Sequence, residues 1–485
     1  MKKTWIYLLL SGLLLILCAC TDPVVGAPAG STAADPAAPR IIELKGDSAS
    51  YPGSGVTVKG GVVTIGAPGE YTLRGKLNDG RIVVDLKENP GRVTLILDSA
   101  DITCLSDSAI HLVQAKELEL VLAANSENRV VSGTEADVAA WTIETAGAAI
   151  YAEDDLTISG EGSLNVCAYI NSAITCKDDL KILGGTLTVQ ATNNGMRGSE
   201  SVTISSGVVM IEAGKDGLKS TSAAKAGKGY VLIEGGVLAV HAGGDGIAAE
   251  TELTISGGNI RVETTGEPNL VSCKGIKANT ALTIADGEIH VKAQDHAIRS
   301  QAGLTVTGGT ISAESKQGKG MNAETDLLIE GGTITVLAAD DGLSSDTAVT
   351  IRAGLLDVRA GADGIQGGKK GTGFGDTVGS VSIEGGQTLV SAFNKPIDAK
   401  ASFTLCGGTI FACGGGTLSP RAEIAYLLGS SSGNAGTSLS LANSELRLQA
   451  AYPFSTVLYA DEALSEGQRY SLQLGEQKLD LTAKK

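Results

Sequence analysis

Read for hydrophobic periodicity, the chain breaks into short alternating stretches separated by glycine. Leu253-Thr254-Ile255 and Thr333-Ile334-Thr335-Val336 alternate apolar and polar residues, as half-buried strands do. Gly257-Gly258, Gly308-Gly309 and Gly331-Gly332 supply tight corners between such stretches. The pattern recurs. Aligned on one apolar residue that follows a small residue, usually Gly or Ala, the series is Ile150, Ile174, Met196, Leu218, Ile247, Ile276, Ile298, Met321, Leu343, Ile365 and Ile397. The gaps are 24, 22, 22, 29, 29, 22, 23, 22, 22 and 32 residues. A period near 22 with occasional insertions predicts a solenoid. Three short strands and three turns fit one unit, and no helical period appears within it. The expected fold is all-β, a right-handed parallel β-helix with aliphatic ladders inside and equivalent residues roughly 4.8 Å apart.

The long gaps carry insertions at 221–230, 266–273 and 367–380. Insertions into repeats tend to gather on one face, often the binding face. Residues 41–135 are strand-rich but off the beat, and are expected to form irregular first coils and a cap. The regular helix is expected over 136–416, with a small β appendage over 417–485 covering the far end. Residues 1–20 read as a lipoprotein signal: Lys2 and Lys3 precede an apolar run too short for a confident membrane span, and Leu17-Cys18-Ala19-Cys20 resembles a lipobox with Cys20 as the lipidated residue. Residues 21–40, rich in Ala, Pro and Gly, read as a flexible tether. The expected setting is the cell surface, with membrane contact only through the lipid anchor.

Composition narrows the function. A net charge of −16 argues against nucleic acid, and against a polyanion unless a cation mediates. Glycine (65) far outnumbers proline (11), which fits tight turns rather than disorder. No Cys-x-x-Cys pair supports zinc. Cys176 occupies a position otherwise held by small residues and is expected to be a buried hydrophobe, whereas Cys406 and Cys413 could pair in an exported protein. Aromatics are scarce, and Trp141, Tyr151, Tyr169 and Tyr230 are expected to pack rather than stack on sugars.

Two rows carry candidate chemistry. Two places before the ladder residue stand Asn194, Asp216, Asp245, Lys274, His296, Lys319, Asp341, Asp363 and Lys395. Asp216 and Asp245 are neighbours, as are Asp341 and Asp363, with Asp340 beside the second pair. Opposed like charges on adjacent strands repel, so a cation between them is one reading, and calcium, an oxygen-binding ion, suits paired carboxylates. The other reading is that the Asp-Gly pairs make Asx turns. One place after the ladder residue, Arg197, Lys219, Lys277 and Arg299 form a basic row broken by Ala248. With Lys274 they are candidates for gripping sugar carboxylates, or for pairing with acids on neighbouring coils.

Several motifs, in order and spacing, resemble bacterial carbohydrate-binding domain-containing proteins. They include Gly53-Ser54-Gly55-Val56-Thr57-Val58, Gly69-Glu70-Tyr71-Thr72-Leu73-Arg74-Gly75, Lys215-Asp216-Gly217-Leu218-Lys219-Ser220 and Asn394-Lys395-Pro396-Ile397-Asp398-Ala399. The resemblance runs from about Ile41 to Gly416. It implies a β-helix similar to that of pectate lyases, bound calcium and a plant-type polysaccharide as partner, and it carries over no catalytic residue. The expectation is a monomeric, calcium-assisted binder of acidic polysaccharide. The rivals are a calcium-dependent polysaccharide lyase, with Lys219, Lys277 or Arg299 as base, and a surface adhesin or spacer.

Overall fold

The computed structural model describes residues 40–87, 91–135, 147–368, 378–442 and 444–485. The signal, nearly all of the tether, Cys20, Trp141 and most of the 367–380 insertion lie outside these residues. Within them the regular structure is entirely β. One coil shows the plan. Ile247–Ala249 forms a first face, Leu253–Ile255 a second and Asn259–Thr264 a third, before Ile276–Ala278 begins the next coil. Ile247 pairs with Ile276, Leu253 with Leu282 and Ile260 with Ile289, all in parallel register. The chain is a parallel β-helix.

Each of the eleven ladder residues opens a first-face strand. They pair in series from Ile150 with Ile174 to Ile365 with Ile397, and all are buried. The ladder also reaches back through Ile110 to Ile82. Each fully buried Ile or Leu contributes about 1.5–3 kcal/mol by leaving water. The small residue two places on also points inward, which is why Cys176 is buried there. No cysteine among the described residues is bridged. Cys406 and Cys413 are both free thiols, and burial pushes Cys413 up to about 11.

Glycine is demanded at two places in the coil. The second glycine of each corner, such as Gly258 (φ +97°) or Gly309 (φ +85°), lies in left-handed backbone, and a Cβ there would meet the carbonyl of the corner below. The glycine before the ladder residue faces the opposite wall instead. A Cβ on Gly342 would lie 2.3 Å from Val358 Cγ1 and 2.6 Å from the Gly364 carbonyl oxygen.

Both ends depart from the parallel pattern. Val56–Lys59 pairs antiparallel with Val62–Ile65 at the start of the first face. At the far end Phe454–Ala460 runs antiparallel along Thr409–Gly414, and Tyr426–Gly433 pairs antiparallel with its other side to close the third face. Phe411, Leu427, Phe454 and Tyr459 lie in a second core there, and a four-stranded sheet of residues 438–482 follows. The first face has no such closure, because Ile397–Ala399 is its last strand. All three insertions border this first face: 221–230 and 367–380 leave its strands and 266–273 enters one.

Candidate functional site

The outward row of the first face follows from strand alternation: with ladder and small residues inside, the residue between them points out. Coil by coil it reads His111, Tyr151, Thr175, Arg197, Lys219, Ala248, Lys277, Arg299, Asn322, Ser344, Gln366 and Asp398. Arg197, Lys219, Lys277 and Arg299 therefore do share one row, and Lys274 stands on the neighbouring turn row.

That turn row is a hydrogen-bonded column. Asp216 Oδ1 accepts from the Asp245 N–H (2.9 Å), and Asp245 Oδ1 from the Lys274 N–H (2.8 Å). Asp341 Oδ1 accepts from the Asp363 N–H (3.0 Å), and Asp363 Oδ1 from the Lys395 N–H (3.0 Å). Each carboxylate thus caps the turn of the next coil, as an Asx interaction would. The second oxygens meet lysines. Lys219 Nζ lies 2.7 Å from Asp216, Lys277 Nζ 3.5 Å from Asp245, and Lys319 Nζ 2.8 Å from Asp341. The cation that relieves the stacked carboxylates here is the protein's own ammonium.

Asp363 differs from its neighbours. It has no ion pair among the described residues, and burial, with Asp341 and Asp398 nearby, raises its carboxyl above the usual range. Burial and Asp341 likewise raise Asp340. Calcium takes six to eight oxygens. Among the described residues no three His, Cys, Asp or Glu side chains converge to hold a metal, and most of the candidate oxygens already face N–H groups or lysines. The residues as arranged do not fit a calcium ion by themselves.

The candidate cations also differ in their engagement. Lys274 Nζ is 2.8 Å from Asp295, and Arg299 Nη2 is 2.5 Å from Glu324. Arg197 alone of the five has no carboxylate among the described residues. Its Nε and Nη2 donate to Thr221 Oγ1 at 3.3 and 3.2 Å. Two coils back on the same row stands Tyr151, whose ring meets His111 edge to face at 5.3 Å. Both are half-buried. Burial raises the Tyr151 hydroxyl and lowers His111, so at neutral pH both are uncharged. Tyr151 packs, as expected from the sequence, but its partner is His111, whose coil precedes the regular beat and which sequence reasoning leaves without a role.

The family described as carbohydrate-binding domain-containing protein matches residues 59–319 and 313–479. The chain belongs to that family. A protein of the same description from Acetivibrio thermocellus is 36% identical over 137 residues, 28% of this chain and 48% of that protein. The chain therefore spans about half the length of the curated relative that it matches. A solved structure described as a polysaccharide lyase-like protein from C. thermocellum, as a gadolinium derivative, shares 34% identity, with a TM-score of 0.45 over 51% of this chain and 98% of that one.

Proposed function

We propose that this protein binds an acidic polysaccharide along the outward row of its first face. One observation carries the reading: a neutral aromatic pair, His111 and Tyr151, and an arginine with no carboxylate partner among the described residues, Arg197, stand on one row of a rigid ladder. The ring faces supply a surface for a sugar's apolar side. The guanidinium offers a fork that matches a uronate carboxylate. Thr175, buried between them, spaces the rings from the guanidinium by one further coil. Family membership supports the same reading. Lys219, Lys277 and Arg299 extend the positive rim, although their carboxylate partners temper them. In this reading Cys20 carries the lipid that holds the module at the cell surface.

The test is co-sedimentation of full-length protein with insoluble calcium polygalacturonate, and retention on immobilised polygalacturonate with calcium or with a chelator. Retention should fall at least tenfold in Arg197→Ala and in Tyr151→Ala. Retention that needs calcium supports a metal-assisted form, in which the ligand supplies oxygens that the protein lacks. Retention that survives the chelator limits binding to the side chains. Unsaturated product absorbing in the ultraviolet would replace binding with lyase chemistry, and wild-type retention in both variants would remove the site.

A further inference from the structure

Where the first-face sheet stops, the structure leaves a cavity. Its last strand, Ile397–Ala399, pairs with Ile365–Gly367 on one side and, among the described residues, with no strand on the other. Instead of another coil, the chain passes through 415–419 and joins the second face at Pro420–Ala422. Between lies a space of about 370 Å³, lined among others by Lys395, Asp398, Ala399, Ser402, Thr417 and Arg421. That volume is at the small end of ligand pockets and suits one or two sugar rings.

The lining has a definite chemistry. Asp398 is buried, and its carboxylate is held by Lys395 (2.6 Å) and Lys400 (2.5 Å). Arg421 is exposed and has no hydrogen-bond or ion-pair partner among the described residues. Lys395 and Arg421 against Asp398 leave a net positive wall. Backbone groups add to it. The Ile365 N–H bonds to the Pro396 carbonyl and the Lys400 N–H to the Gly367 carbonyl, so these peptide groups turn inward. By strand alternation those of Ala399 turn to the open side. An unpaired strand edge beside a partnerless guanidinium offers donors and acceptors to a ligand that brings both hydroxyls and a negative charge.

We propose that this cavity is a second binding site, taking the end of an acidic saccharide. The carboxylate of a uronate residue sits on Arg421, and its ring hydroxyls meet the Ala399 peptide edge, Ser402 and Thr417. The proposal rests on the acidic-polysaccharide reading for its choice of sugar; it shares with the first-face row only its last member, Asp398, and uses none of His111, Tyr151 and Arg197.

Isothermal titration of the full-length protein with D-galacturonate, with D-galactose as the neutral control, tests it. The expected result is one bound galacturonate per chain and at least tenfold weaker binding of galactose. Arg421→Ala should lose at least tenfold, and Arg359→Ala, on the third face and paired with Asp357, should leave this affinity unchanged. Thr417→Trp, which fills the space without removing the guanidinium, should also abolish binding, and matched thermal midpoints establish that the variants fold. No heat with galacturonate, or equal affinity in wild type and Arg421→Ala, overturns the cavity site even if polygalacturonate is retained. Galacturonate binding through Arg421 without retention of polygalacturonate upholds the cavity and removes the row.

Discussion

The glycine before the ladder residue offers a sharp test of how the coils pack. Gly342→Ala adds one methyl group at a position where Cβ meets Val358 Cγ1 at 2.3 Å and the Gly364 oxygen at 2.6 Å. Neither neighbour is the free end of a flexible chain: Val358 is fully buried in the third-face ladder and Gly364 O is backbone. Overpacking of this kind costs about 1–3 kcal/mol. Loss of glycine's freedom in the unfolded chain returns about 0.4–1 kcal/mol. The net expectation is destabilisation of about 1–2 kcal/mol. Val358→Ala alone removes two buried methyl groups and costs about 2 kcal/mol. Together the two changes should cost less than their sum by at least about 1 kcal/mol, because each makes room for the other. The assay is urea unfolding followed by circular dichroism. Gly303→Ala is the control, since its Cβ would find nothing nearer than 3.6 Å, and it should leave stability unchanged or raise it by about 0.4–1 kcal/mol. A Gly342→Ala midpoint equal to wild type, or strict additivity with Val358→Ala, would refute the packing argument.

Further expectations follow from the turn row and the insertions. Asp341→Asn leaves the Lys319 ammonium without its carboxylate in a mostly buried position, and should lower stability by about 1–3 kcal/mol. Asp363→Asn should do the opposite near neutral pH, because the amide oxygen still accepts from the Lys395 N–H while the repulsion from Asp341 and Asp398 is gone. The sign follows from a folded-state value raised above the unfolded one: wild type bears the cost of the charge above the raised value and sheds it below the unfolded value, about 3.9, so the two proteins should converge in acid. Glu117 titrates the other way. The Arg92 hydrogen bond holds it below the usual range, so its contribution is present above about 4.3 and lost as pH falls through the depressed value; Arg92→Met should flatten that part of the stability–pH curve. Lys228 ties the 221–230 insertion to Asp179 and Glu200, both at 3.0 Å. In Lys228→Ala, limited proteolysis should cut between 221 and 229 while circular dichroism of the helix stays unchanged.

The fold was legible because a solenoid repeats its physics. One apolar residue per coil, spaced near 22, marks the same wall each time, and every residue from Ile150 to Ile397 in that series heads a first-face strand. The row of Arg197, Lys219, Lys277 and Arg299 was legible for the same reason, since a fixed offset from a ladder residue fixes the direction of a side chain. What escaped the sequence lies off the beat or between coils. His111 pairs with Tyr151 across a gap of 40 residues, so no period connects them. The lysines that meet Asp216, Asp245 and Asp341 come from three different offsets, of 3, 32 and 22 residues. Such pairing depends on where long side chains reach, which spacing does not specify. The cavity at Ile397–Ala399 depends on a coil that the chain does not complete, and an omission leaves no motif.

The ladder of the first face also sets how such a surface can evolve. Because each coil presents the same three edges above and below, duplicating one coil inside the stack lengthens the outward row by one strand spacing and leaves its neighbours' contacts intact. The row is then a ruler graduated in coils, and reach along a polymer grows in whole steps. The antiparallel strand at residues 454–460 fixes the far mark of that ruler: it reverses chain direction on the last third-face strand, so growth proceeds from within the stack.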